Sequence, residues 1–257
     1  LEVMGLPGLW PVPGADILPP YDLRFLNPSL DLAAVTVGLA QRPRGRLCLY
    51  GPPGSGKTAY ARHVAERLDR PLLSKRASDL LSMWAGGTEK LLAEMFREAA
   101  AEGAVLLLDE ADSFLQDRQG AQRSWEITQV NELLVQMEAF QGLFICSTNL
   151  MERLDPAVLR RFDLKVRFGY LRADQAWALV RETLAQHGAG ELSPAAAETC
   201  RRRLAALTTV TPGDVATALR QARLLGQALT PEGLLGALEE ECRAKLQGRK
   251  PVTGFTA

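Results

Sequence analysis

Gly51-Pro-Pro-Gly-Ser-Gly-Lys57-Thr58 matches G-x-x-x-x-G-K-[ST] and sets how the rest of this chain is read. The apolar run Arg46 to Tyr50 precedes it, and Tyr60, Val64 and Leu68 follow on one helical face, so the stretch reads as a loop joining a strand to a helix. Glycines there let successive N–H groups turn inward, and the helix N-terminus adds partial positive charge, which together suit phosphate. The expected contacts are Pro53, Gly54, Ser55, Gly56, Lys57, Thr58 and Ala59, with Lys57 neutralising the β- and γ-phosphates of ATP and the Thr58 hydroxyl ligating Mg²⁺. An ordinary Gly-rich turn is the alternative. All four fixed positions match between a strand and a helix, which argues against it.

Working outward, short apolar runs alternate with helical stripes, as expected for a parallel sheet covered on both faces. The strands read as Arg46 to Tyr50, Pro71 to Lys75, Ala104 to Asp109, Leu143 to Thr148 and Leu164 to Phe168. Leu30 to Ala40 reads as a helix, and two further stripes comprise Leu91, Leu92, Met95, Phe96 and Ala99, then Ile127, Val130, Leu134 and Met137. After about Tyr170 the strands stop, and an Ala- and Leu-rich remainder, punctuated by Gly188-Ala189-Gly190, Pro212-Gly213 and Pro231, reads as helices. The expected organisation is a Pro/Gly-rich arm over 1–20, an α/β ATP-binding core over 21–170 and a small α-helical lid over 171–257.

Val105-Leu-Leu-Leu-Asp109-Glu110 reads as a buried central strand that delivers two carboxylates at its carboxyl end, where ligands of open α/β sheets sit. Asp109 is placed to hold Mg²⁺ and Glu110 to polarise an attacking water, although a helix N-cap is the alternative for Asp109 alone. Leu143 to Thr148 ends in Asn149, placed either to reach the γ-phosphate or the lytic water, or simply to form a turn.

These elements, followed by Leu154-Asp-Pro-Ala-Val-Leu-Arg160-Arg161-Phe162-Asp163, resemble the AAA family of AAA+ ATPases, of bacterial type or similar to katanin and spastin. The resemblance implies an α/β P-loop NTPase core, a parallel sheet flanked by helices, with a C-terminal helical lid. It makes Asn149 the sensor-1 residue. It makes Arg160 and Arg161 the arginines supplied to the ATP site of the next subunit in a ring; surface ion pairing is the alternative. Met83-Trp84-Ala85-Gly86 takes the position of the family's pore loop, where an exposed aromatic grips polypeptide, and a buried structural Trp is the alternative. Relatives such as katanin and spastin usually carry an acidic residue where this chain has Gly87. Thr211-Pro-Gly213-Asp214 resembles the sensor-2 segment, with Gly213 touching nucleotide and Arg220 on the surface or at an interface.

Thirty basic residues balance thirty acidic ones, so no net field favours nucleic acid or an anionic membrane. Arg118 and Arg123 form a charged loop, read as a solvated face. Cys48, Cys146, Cys200 and Cys242 are far apart without a CxxC pair and read as buried thiols of a reducing cytoplasm. No apolar stretch approaches membrane-spanning length, no signal peptide is apparent, and Leu1 in place of Met reads as the start of an excised segment of a longer polypeptide. The leading expectation is an ATP hydrolase that remodels or translocates a protein substrate as a hexameric ring. The alternatives are a nucleotide-gated scaffold module and, behind it, a loader acting on nucleic acid.

Overall fold

Val105, Leu106, Leu107 and Leu108 are all fully buried, as a strand covered on both faces requires. In the computed structural model, which describes residues 21–81, 87–115, 124–149, 156–187 and 192–247, this run is the second strand of a five-stranded parallel sheet. The strands are β1 (Gly45–Tyr50), β2 (Leu72–Arg76), β3 (Val105–Asp109), β4 (Leu143–Thr148) and β5 (Leu164–Arg167), in the order β2-β3-β4-β1-β5. Four of the five strands differ from the sequence expectation by one residue, β2 at both ends and β1, β3 and β5 at one, where apolar pattern cannot separate the last ladder residue from the first loop residue.

The order places β4 between β3 and β1, with Leu108 level with Cys146 and Tyr50 level with Thr148. The carboxyl ends of three adjacent strands therefore open on one edge, where a parallel sheet binds its ligands. The chain reaches this edge through α1 (Leu32–Gln41), α2 (Lys57–Arg67), α3 (Ala77–Leu80), α4 (Gly87–Glu102), α5 (Asp112–Leu115), α6 (Ser124–Ala139) and α7 (Pro156–Leu159).

Side chains on a strand alternate between faces. Leu106, Leu108, Phe144 and Cys146 form one cluster with Met95 and Phe96 of α4 and Leu133 and Met137 of α6. Leu107 and Ile145 face the other way, the side on which α2 packs against β3 and β4. Phe96 anchors the first face, with its ring 5.2 Å from Phe144 and 5.4 Å from Phe140; each such buried side chain contributes about 1.5–3 kcal/mol. Leu91 does not join the stripe expected of it and is 36% exposed, because the buried stripe of α4 runs through Thr88, Leu92, Met95, Phe96 and Ala99 and Leu91 falls outside its margin.

Asp31 caps α1 by accepting from the N–H groups of Ala33 and Ala34, so the helix starts two residues later than expected. The Tyr60 hydroxyl lies 3.1 Å from Thr36 Oγ1, tying α1 to α2. Ahead of α1, Asn27 accepts from Gly169 N and donates through Nδ2 to Tyr170 O, and Pro28 bridges Phe168. This strap covers the end of β5.

Residues 26–171 form one compact unit, and the remaining described residues form a second. In the second unit a 3-10 turn, Leu23–Phe25, accompanies α8 (Ala173–Gln186), α9 (Pro194–Ala205), α10 (Pro212–Leu224) and α11 (Pro231–Gln247). Pro212 and Pro231 each take the first helical position, where a missing N–H costs nothing. Asp214 Oδ2 accepts from Thr211 N at 2.8 Å and from Lys245 Nζ at 2.5 Å, fixing α10 to α11. No described helix is long and apolar enough to cross a membrane.

All four cysteines are buried free thiols. Cys48 faces Cys146 on the neighbouring strand, and burial pushes the Cys48 thiol up to about 12, which keeps it protonated and unreactive at neutral pH.

Candidate functional site

At the end of β1 the chain turns through Gly51, whose N–H donates to Thr148 O of β4. Its φ is +142°, and a Cβ there would lie 2.0 Å from the backbone oxygen of Phe168, so the position admits only glycine. Gly56 has φ +98°, and a Cβ would meet Leu26 at 2.6 Å. Between these hinges the N–H groups of Gly54, Ser55 and Gly56 have no protein acceptor among the described residues. The first N–H groups of α2, from Lys57, Thr58 and Ala59, precede its first turn bond, Tyr60 N to Gly56 O. A run of unpaired donors at a helix start fits a polyphosphate. Ser55 is buried and braces the loop by donating to Pro52 O.

Lys57 is 7% exposed and places Nζ within 2.9 Å of Gly51 O, Pro52 O and Asn149 Oδ1. Burial lowers its pKa to about 8, against the opposing pull of the Asp109 and Asp112 carboxylates. Nζ thus ties the loop of β1 to the polar end of β4.

Thr58 Oγ1 donates to Asp109 Oδ2 at 2.9 Å. Asp109 Oδ1 accepts from Ser147 Oγ and from Glu110 N, the latter at 3.1 Å. Both Asp109 oxygens are therefore oriented, and the Thr58 hydroxyl beside a carboxylate is a hard oxygen pair that fits Mg²⁺ completed by phosphate and water oxygens. Glu110 has φ +54° without being glycine, a conformation costing about 1–3 kcal/mol. Its N–H is held by Asp109 and by Ser147 Oγ, and its side chain is exposed with no partner among the described residues. A strained backbone that presents an unpaired carboxylate suits a group that must meet water.

Asn149 is fixed twice, by Lys57 on its side chain and by Asp112 on its backbone, where N donates to Asp112 Oδ1 at 3.0 Å. The same Asp112 oxygen accepts from Thr148 Oγ1. Lys57, Thr58, Asp109, Glu110 and Asn149 are thus brought together.

Arg160 follows α7, is exposed and has no side-chain partner among the described residues. Its neighbour Arg161 differs: Nε donates to Glu138 Oε1 at 2.6 Å within the same chain. Gly213 is the second residue of α10 in the helical unit, and Arg220 donates to Thr217 Oγ1 on its own helix. Gly87 opens α4. Trp84 and its neighbours Met83, Ala85 and Gly86, the 1–20 arm, Arg118, Arg123, Leu154, Asp155 and 188–190 lie outside the described residues, as does the side chain of Ile127.

Residues 47–170 match the family described as ATPase family associated with various cellular activities (AAA). Residues 47–170 are an AAA domain. This AAA domain is 38% identical over 132 residues to Fidgetin-like protein 1 of Drosophila melanogaster, covering 49% of the chain and 25% of that protein. It is 36% identical over 161 residues to "AAA ATPase forming ring-shaped complexes" of Bifidobacterium dentium, covering 55% of the chain and 30% of that protein. The aligned part is thus about a quarter to a third of the length of these relatives. Among solved structures, the FIGL-1 AAA domain in complex with ADP superposes with a TM-score of 0.55 at 22% identity, covering 80% of this chain and 78% of that one, which shows a shared fold.

Two polar residues of this AAA domain escaped the sequence reading. Ser147 sits inside an otherwise apolar strand, and Asp112 reads as an ordinary acidic first-turn residue of a helix. The spacing Asp109-Glu-Ala-Asp112 was the available signal, since a third carboxylate three residues on comes back towards the same strand end.

Proposed function

We propose that this AAA domain binds ATP with Mg²⁺ and hydrolyses the β–γ phosphoanhydride. The observation that carries the reading is the Thr58 to Asp109 hydrogen bond, which unites the phosphate loop and the carboxylate strand in one oxygen-donor pair. Bound there, Mg²⁺ would supply charge neutralisation on the phosphate oxygens. The chain's own residues supply the rest. The unpaired N–H groups from Gly54 to Ala59 and the Lys57 ammonium hold the triphosphate, Pro53 shapes the loop, Glu110 takes the proton of an attacking water, and Asn149 orients that water against the γ-phosphate.

The assembly is a homo-oligomeric ring, hexameric when active, in which Arg160 reaches the ATP site of the neighbouring copy, with Arg161 beside it. Exposure and the lack of a side-chain partner among the described residues support Arg160 in this role. A relative whose printed name describes ring-shaped complexes supports the assembly. The ring remodels or translocates a protein substrate in the cytoplasm. Trp84 is its gripping residue and Gly213 a nucleotide contact, both on the strength of the sequence resemblance alone.

Phosphate release by the wild-type chain against Lys57→Ala tests the reading. Magnesium-dependent release that Lys57→Ala abolishes is the expected result. Equal release by the two proteins would refute it.

A further inference from the structure

The amino-terminal edge of the sheet, opposite the phosphate loop, holds a second concentration of charge. Arg42 and Arg44 lie in the turn before β1, Arg46 within β1, and Arg70 two residues before β2. All four line one cavity of about 610 Å³, which Gln141 ahead of β4 and Asp163 ahead of β5 complete. Parallel strands start at this edge, so segments distant in sequence converge on it.

The arrangement is locally built. Arg44 N donates to Arg42 O at 2.7 Å, closing a tight turn around Pro43 that brings the two arginines to one side. Asp163 accepts from Arg46 N at 2.8 Å and from the Arg46 guanidinium at 3.3 Å through Nε and Nη2, while Asp163 N donates back to Arg46 O. Desolvation raises the pKa of that carboxylate, but the hydrogen bonds and charge of Arg46, with Lys165 adding its charge, hold it below its usual value, and it offsets one arginine.

Arg42, Arg44 and Arg70 have no hydrogen bond or ion pair from their side chains among the described residues. Three arginines that line one opening, with no side-chain partner among the described residues, repel one another. An anion that bridges them removes the repulsion. The guanidinium fork matches the oxygens of phosphate, and a cavity of this size falls in the range of small-ligand sites. A nucleic acid would call for a basic stripe longer than one cavity, on a chain whose total charge is zero.

We propose that this pocket binds a small, multiply phosphorylated anion at a site separate from the nucleotide loop. Arg42, Arg44 and Arg70 are the primary contacts, and Arg46, locked by Asp163, is the fixed wall.

The test is isothermal titration of tripolyphosphate into the Lys57→Ala chain, in which the nucleotide loop is disabled, and into Lys57→Ala carrying Arg42→Ala, Arg44→Ala and Arg70→Ala as well. One tripolyphosphate per chain is expected in the first, with at least tenfold weaker binding in the second. The three side chains have no partners among the described residues, so matching thermal melts should show both proteins folded; if they do not, Arg44→Lys alone, which keeps the charge and removes the fork, is expected to weaken binding severalfold. Citrate should bind at least severalfold more weakly than tripolyphosphate. No binding to Lys57→Ala, or binding that the arginine substitutions leave unchanged, would overturn the proposal. Arginine-dependent binding of a single-stranded oligonucleotide without tripolyphosphate binding would overturn it in favour of a nucleic-acid surface.

Discussion

Thr58 Oγ1 donates a 2.9 Å hydrogen bond to Asp109 Oδ2, joining the first turn of α2 to the end of β3 across the intervening strand β4. The pair is the expected metal-side corner of the site. Thr58→Val keeps the shape and removes the hydroxyl, so affinity for ATP should fall about tenfold or more with Mg²⁺ present and much less in EDTA. Fluorescent-nucleotide titrations in the two conditions measure the difference; equal losses would place Thr58 outside the metal's shell.

Lys57 gives a pH signature. Burial lowers its pKa to about 8 from 10.5, so the protein without nucleotide loses this charge at a pH where an exposed lysine keeps it. Phosphate favours the protonated form. ATP affinity should therefore decline as pH rises through about 8, and binding at a slightly higher pH should take up a proton, read from titrations in buffers of different ionisation enthalpy. For folding the sign is separate: between the two pKa values the unfolded chain binds more protons at Lys57, so this group's contribution to stability rises with pH there.

Asp112 acts through others, as a positioning residue. One of its carboxylate oxygens accepts from both Asn149 N and Thr148 Oγ1, so Asp112→Ala removes the shared acceptor and loosens Asn149. Steady-state kinetics should show kcat lowered roughly 10- to 100-fold with KM nearly unchanged. A KM effect alone would contradict that assignment.

The parts of this site that sequence reveals are those in which backbone and chemistry coincide. Gly51 and Gly56 are legible because a phosphate loop needs their conformations, and Asp109 because it ends an apolar run. The strand order is not legible, since strands buried on both faces read alike wherever they lie in the sheet. That order is what sets Ser147 beside Asp109 and Thr148 beside Asp112, so both contacts stayed hidden. The ion pair of Arg161 with Glu138 was hidden for a related reason: it depends on where α6 ends relative to the turn after α7.

Arg160 and Arg161 are adjacent in sequence, and the geometry separates them. Arg161 is engaged within its own chain, so Arg160→Ala should cost more turnover than Arg161→Ala while leaving nucleotide affinity nearly intact. Mixing Arg160→Ala chains with Lys57→Ala chains should restore part of the activity by leaving some sites whole. No rescue at any ratio, with assembly confirmed by light scattering, would place Arg160 in its own subunit's chemistry or in none.

Glu110 combines a strained backbone with a side chain that has no partner among the described residues, which suits water attack on ATP. The direct measurement is the nucleotide recovered from Glu110→Gln after incubation with ATP and Mg²⁺, set beside its rate of phosphate release. Retained, unhydrolysed ATP is the expected result, with release slowed by about 100-fold or more. Turnover at the wild-type rate would contradict it.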